Sequence, residues 1–432
     1  MRLGRARWWV LLGLAVVGVM GGVVVPVGCG GTPEPIDEKP ADPAARDART
    51  AQLALAGTEE FTPAALEDAI AFLEGERAWD DHTRPLDVPR HPAEKYLEGW
   101  VIVLDPGHGG KGDVPGYKAG PTGVREAEMN LRVSKLLRKM LEDAGAYVAL
   151  TREGEISDIA DDRIEGTLRM RAEFANDIER PDGGTGADVF ISVHHNASSR
   201  DAANFPSVWF HGEADWSEPA LDIAKYVGHR LGAEMRNEEV GLTSVLMSDR
   251  QMYSGGFGVL RHSEVPAILL ESSFFSHPTE EQRLRDAMHN LREAYAVYVG
   301  LVEYAYGGRP TQSPPEVATD GDELVITTTL SEGLPQWWGH DRQRTLSSTI
   351  AVYVDGQRVP AEYDPATKVL TARADVGEWV GGEVRVHHQN LYKHSNWPQR
   401  YAVRLGNGAY DVSTLGSMDT GELAAATADP VD

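Results

Sequence analysis

The sequence predicts an α/β fold: a three-layer twisted, largely parallel sheet with helices on both faces, followed by a C-terminal β-sandwich. Three observations predict it. Between residues 98 and 306, apolar runs such as "WVIVLDP" and "PAILLE" alternate with stretches of helical period. A Pro/Gly-rich stretch, "GGRPTQSPPEVATD", then closes that pattern at 307–320. Beyond it the helical period disappears, and short alternating runs divided by turns take its place. A chain of 432 residues is also longer than one core usually grows, so more than one domain is expected.

The amino-terminal elements read as targeting and tethering. Arg2, Arg5 and Arg7 precede the apolar run "WWVLLGLAVVGVMGGVVVPV", and Gly28-Cys29 follows it. Residues 1–29 therefore form a signal-like segment that resembles a bacterial lipoprotein signal, with Cys29 as the lipid-anchoring residue. Pro26 departs from that pattern. An ordinary export signal, or an uncleaved anchor long enough to span a bilayer, are the alternatives. Each places the folded part outside the cytoplasm, in the periplasm or on an outer membrane. Cys29 is the chain's single cysteine, which excludes an intrachain disulfide framework. Residues 30–60, rich in Pro, Ala and Asp, read as a flexible linker. The stretch 61–97 reads as a helical lead-in. Thr62-Pro63 suits an N-cap and N1, and Leu66, Ala69, Ile70 and Leu73 recur at helical spacing.

Within 98–306, the helix "NLRVSKLLRKMLEDAG" closes at Gly145. "AYVALTR" reads as the next strand, "LRMRAEFAND" as helical, and "ADVFISVHHNA" as a strand again. Ser217-Glu218-Pro219 opens a helix with Leu221, Ala224, Val227 and Leu231 on one face. After the strand "PAILLESSF", Thr279 and Gln282 form a capping box for one long helix through Tyr298. Residues 307–320 read as a linker and 321–410 as the sandwich. Its strands are "ELVITTTL", "TIAVYV", "RVPAEY", "VLTARA", "EVRVHH" and "YAVRL", with a hairpin turn at Asp355-Gly356. Residues 411–432 read as a disordered tail.

Composition excludes some functions. With 66 acidic against 41 basic residues, the formal charge is −25, which argues against nucleic acid as a partner. Three strands of the α/β region end in metal-type residues: His108 after "VIVLDPG", His194 in "DVFISVH", and Glu271 in "PAILLE". Ligands of open α/β sheets bind outside the carboxyl ends of strands, so these groups are candidates for one cleft. The alternation of the strand favours His194 over His195, because His194 shares a face with Ser192. Glu126 by itself reads as a solvated first-turn carboxylate favoured by the helix dipole.

The segments "DPGHGG", "GVREAEMNL", "RAEFAN", "DVFISVHHNA" and "GVLRHSEVPAILLESSFFS" resemble, in order, the type 3 N-acetylmuramoyl-L-alanine amidases, zinc enzymes that cut peptidoglycan. The resemblance covers residues 99–306. It implies Zn²⁺ held by His108, Glu126 and His194, with Glu271 as the catalytic acid–base, and leaves the solvated role to Glu128. It also places Asn130, Arg171 and Asn196 on motif positions, as supporting residues. His195 stands where the family commonly has Ala, Ser273 replaces Gly, and His277 replaces Asn. The loop from Lys111 to Gly123 is longer than usual. The implied function is hydrolysis of the amide between N-acetylmuramic acid and L-alanine by an exported enzyme, with peptidoglycan as its partner. Its rivals are a zinc peptidase cutting the stem peptide and a non-catalytic wall-binding lipoprotein. Trp337, Trp338, Trp379 and Trp397 suit core packing better than sugar stacking. His340, His388 and His394 show no ligand spacing.

Overall fold

The computed structural model describes residues 90–109, 118–154, 159, 164–200, 203–213, 217–235, 246–334, 344–377 and 379–415. The signal-like segment with Cys29, the 30–60 linker, the helix expected after Thr62, Trp337, Trp338, His340 and most of the Lys111–Gly123 loop lie outside them. Among the described residues, no helix is long and apolar enough to cross a membrane.

The first sheet contains β1 (Val101–Pro106), β2 (Tyr147–Leu150), β3 (Val189–Asn196), β4 (Ser207–Phe210), β5 (Leu246–Ser248) and β6 (Ala267–Phe274). Its order is β2-β1-β3-β6-β4-β5. All neighbours are parallel except β4 and β6, so the sheet is mixed but largely parallel. Among the described residues, six α-helices accompany it: α1 (Glu126–Asp143), α2 (Ile164–Asp177), α3 (Glu218–Glu234), α4 (Gly258–Arg261), α5 (Pro278–Arg285) and α6 (Ala287–Tyr306).

The continuous apolar runs reflect burial on both faces. Ile102, Leu104, Ile191, Val193, Ile268 and Leu270 pack with residues of α1, α3 and α6. Val101, Val103, Phe190 and Leu269 point the other way, onto Ala175 of α2 and Val259 and Leu260 of α4. A side-chain period of two thus places helices on both faces, giving three layers. Gly145 follows α1 at φ +91°, where its N–H and that of Ala146 bond back to the Glu142 and Leu141 carbonyls.

The long helix expected from Thr279 is two helices, and the capping box is not used. His277 Nδ1 accepts the Glu280 N–H at the start of α5. Asp286 then turns extended, and its carboxylate accepts the Met288 N–H to start α6. A short acceptor side chain with non-helical backbone caps a new helix more effectively than it continues an old one.

The C-terminal region is a sandwich of two antiparallel five-stranded sheets. It contains β7 (Thr311–Gln312), β8 (Glu316–Asp320), β9 (Glu323–Ser331), β10 (Ala351–Val354), β11 (Gln357–Val359), β12 (Ala361–Asp364), β13 (Val369–Asp375), β14 (Gly381–His387), β15 (Arg400–Gly406) and β16 (Ala409–Leu415). One sheet runs β11-β10-β14-β15-β16; in the other, β12-β13-β9-β7, β8 also pairs with β9. Leu324, Ile326 and Leu370 from one sheet meet Val352, Val384, Val386 and Val403 from the other. Asp355-Gly356, both at positive φ, turns β10 into β11.

Three boundaries differ from expectation. The 307–320 stretch is not a free linker: β7 and β8 pair with β9, and Arg309 reaches Asp188 at 2.5 Å while covering the Trp100 ring. "RVPAEY" is two strands in different sheets, separated at Pro360, which has no N–H for a ladder. The expected disordered tail begins too early, because β16 pairs with β15 through Leu415. Polar alternation on an edge strand reads like a tail until its partner is known.

Candidate metal centre

The loop after β1 brings His108 over the sheet. Gly107 is required there by space: a Cβ would lie 2.1 Å from Cε1 of His194. His108 itself takes φ +62°, an uncommon left-handed conformation for a residue with a side chain. Two buried arginines hold that backbone. Arg152 donates to the carbonyls of Pro106 (2.8 Å), Gly107 (3.0 Å) and Ala127 (2.6 Å). Arg171 donates to His108 O at 2.5 Å and pairs with Asp105 at 2.8 Å. Burial alone would raise the Asp105 carboxyl, but Arg171, Thr151 and Ser192 hold it below the usual carboxylate range.

Glu126 begins α1. Its backbone N–H bonds to Lys118 O, and Glu281 anchors the preceding turn by accepting the N–H groups of Thr122 and Val124. The side chain is 3% exposed, so it is not the solvated first-turn acid that its position suggested. Glu128 has that role, bonded to Arg125. Glu126 Oε2 lies 2.8 Å from His108 Nε2, and Oε1 lies 3.0 Å from His194 Nδ1. The two imidazole rings meet edge to face at 4.9 Å. One donor atom from each of His108, Glu126 and His194 falls within 4.8 Å of the other two.

The electrostatics suit a cation. Burial would raise Glu126, but the two histidines hold its carboxyl far below the usual range. Burial pushes His194 down, toward the neutral imidazole that binds metals. Glu271 sits on β6 in register with His194 on β3, and on a parallel pair this places both side chains on one face. Its Oε2 atom is buried without a hydrogen-bond partner among the described residues. Burial, reinforced by the negative charge of Glu126, raises its carboxyl well above the ordinary value. Two imidazoles and a carboxylate form a donor set that Zn²⁺ accepts, with a further position left for water or substrate.

Of the supporting residues, Asn130 donates to Gly107 O (3.2 Å) and toward Glu126 Oε1 (3.4 Å). Arg171 acts on the loop backbone rather than on the ligands. Asn196 stays local, its Oδ1 accepting the Ala197 N–H. His195 turns to the opposite face from His194, onto Asn130 and Glu293. Sequence reasoning missed Arg152, Glu281 and Glu293. Arg152 had a signal, since it ends "AYVALTR" on the strand beside His108. Glu281 and Glu293 had none, because they are helix residues whose partners lie far away in sequence.

The fold and donor set define a class: an α/β domain with a His–Glu–His centre at the carboxyl edge of its sheet and an acid beside it. A family model described as N-acetylmuramoyl-L-alanine amidase matches residues 102–303. The probable cell wall amidase LytH of Staphylococcus epidermidis is 30% identical over 210 residues, 48% of this chain and 59% of that protein. The germination-specific N-acetylmuramoyl-L-alanine amidase of Bacillus subtilis is 26% identical over 226 residues, 52% of this chain and 85% of its own length. Among solved structures, the catalytic domain of CwlV from Bacillus (Paenibacillus) polymyxa var. colistinus is 26% identical with a TM-score of 0.37, covering 48% of this chain and 97% of that one. The chain thus spans 59% of the first of these relatives. Residues 102–303, most of the α/β domain, are thus similar to the N-acetylmuramoyl-L-alanine amidases.

Proposed function

We propose that this chain is an exported zinc hydrolase that cuts the amide between the lactyl carbonyl of N-acetylmuramic acid and the nitrogen of L-alanine in peptidoglycan. One observation carries the reading: three metal-type donors converge at the sheet edge, and on the neighbouring strand, in register with one of them, stands Glu271, whose buried Oε2 has no hydrogen-bond partner among the described residues. The similarity of residues 102–303 to those amidases supports the choice of bond.

His108, Glu126 and His194 would hold the zinc, which when bound supplies a Lewis acid for the amide carbonyl and for water. Glu271 moves the proton. Its carboxylate takes one from the attacking water and delivers it to the alanine nitrogen as the C–N bond breaks. Arg152 and Arg171 keep the His108 loop fixed while this happens. Gly107 keeps that loop against the His194 ring. The Arg-rich leader and Cys29 suit export and lipid anchoring in the periplasm or on an outer membrane, with the β-sandwich placing the enzyme on the wall.

The test is digestion of intact muropeptides by the zinc-loaded chain. Release of stem peptides with a free N-terminal L-alanine supports the proposal. Fragments cut within the stem would make the chain a peptidase, and wall binding without any cleavage would make it a binding protein.

A further inference from the structure

Behind the metal centre, on the face of the sheet away from His194, runs a buried chain of polar groups. Glu293 of α6 is fully buried, and its Oε2 lies 3.1 Å from His195 Nε2. His195, 1% exposed, places Nδ1 2.8 Å from Asn130 Oδ1. Asn130 Nδ2 faces Gly107 O and Glu126 Oε1. The His195 backbone N–H also donates to that same Glu126 oxygen at 3.1 Å.

The amide orientation follows from its neighbours. Gly107 O and Glu126 Oε1 are both acceptors, so the Asn130 NH₂ group must face them and its carbonyl must face His195. His195 therefore presents Nδ1–H to Asn130, whether the remaining proton of the pair rests on Nε2 or on Glu293. Without that donor the amide could rotate, and its oxygen would then oppose the Glu126 carboxylate.

Glu293 is the telling member. Its other oxygen, Oε1, is buried with no hydrogen-bond partner among the described residues. A carboxyl enclosed in a core for a single contact is a poor way to stabilise a fold. It makes sense as the anchor that fixes the ring of His195.

We infer that Glu293, His195 and Asn130 are positioning residues that set the orientation of the Glu126 carboxylate for metal binding. The inference rests on His108, Glu126 and His194 being the metal ligands. Groups bonded to a metal's ligands characteristically change affinity roughly 10- to 100-fold when removed.

The experiment uses the full chain, Zn²⁺ as the probe in competition with a chromophoric chelator, and Co²⁺ absorption as a report on coordination. The double variant His195→Leu/Glu293→Leu leaves neither a buried charge nor an unpaired ring. It is expected to keep the parent's circular dichroism, to bind zinc roughly 10- to 100-fold more weakly and to show an altered Co²⁺ spectrum. Glu293→Gln, which can still hydrogen-bond to Nε2, is expected to keep the parent affinity and spectrum. A folded double variant with parent affinity and spectrum would overturn the inference. Should the double variant not fold, Asn130→Ala cuts the same chain one link nearer the ligand and carries the same expectation. A parent chain that takes up no zinc would instead overturn the ligand assignment itself, and the positioning role with it.

Discussion

Among the described residues, the histidines at the sheet edge and those at the seam with the sandwich are built on opposite logic. At the carboxyl edge of the first sheet, His108 and His194 turn ring nitrogens onto the two oxygens of one carboxylate. At the seam between the α/β domain and the sandwich, each histidine has its own ordinary partner. His394 Nδ1 donates to Gly308 O (2.8 Å), and its Nε2 accepts from the Tyr226 hydroxyl (2.9 Å). His387 donates to Glu218 (2.7 Å), and beside it, on the sandwich side, His388 Nε2 donates to Thr311 O of β7 (3.2 Å). The same residue type therefore makes a candidate ion site where nitrogens converge, and a structural seam where they diverge. Neighbouring contacts reinforce that seam: Ser395 N–H reaches Asp222, and Asn390 bridges the carbonyls of Gly307 and Glu332.

The sharpest test of this contrast is chemical. Glu271→Gln should lower muropeptide cleavage by roughly 10²- to 10⁴-fold while zinc content stays at the parent level. His108→Ala should lose both, so parallel turnover and metal assays on the two variants separate proton transfer from ligation. Equal metal loss would break the division of roles.

Next comes the packing of the cleft. Gly107→Ala places a methyl group against the His194 ring, where a Cβ would lie 2.1 Å away. Zinc affinity should fall by roughly tenfold or more, because ligand orientation is set by its surroundings. An unchanged dissociation constant would mean that the loop moves freely, contrary to its anchoring by Arg152 and Arg171.

The seam should respond to pH instead. Burial holds His388 down to about 4, against an ordinary 6.5 for imidazole. As pH falls below 6.5 the unfolded chain takes up the proton and the folded chain does not. The stability contributed is thus fully present above 6.5 and is lost as pH falls toward 4. From pH 7 to 5 the loss is about 2 kcal/mol. Denaturant titrations of the parent and His388→Gln should differ by that slope, and identical pH dependence would remove His388 as its source.

The smallest effect belongs to His394→Ala. It removes two hydrogen bonds from the seam and should cost about 1–2 kcal/mol of stability. Zinc affinity should stay constant. A change in metal binding would show that the two histidine groups are coupled after all.

Much of this architecture was legible beforehand, for identifiable reasons. β1, β3 and β6 announced themselves because strands buried on both faces must be apolar throughout. The strand period also separated His194 from His195. β4 and β5 escaped notice, being only four and three residues long and reversed relative to β6. β7 and β8 were read as linker because Pro and Gly dominate their stretch, and only β9 turns it into sheet. Glu126 was ambiguous alone: a glutamate in a first turn looks the same whether it meets solvent or two imidazoles.

By itself, the sequence determined the class of fold, the domain order and the chemical types offered at each strand end, since these follow from local periodicity and residue identity. Only the tertiary structure decided which of those groups meet, because convergence depends on strand order and on packing across the sheet. It buried Glu126, turned His195 onto Glu293 and set Gly107 against His194. None of those contacts is a property of neighbours along the chain.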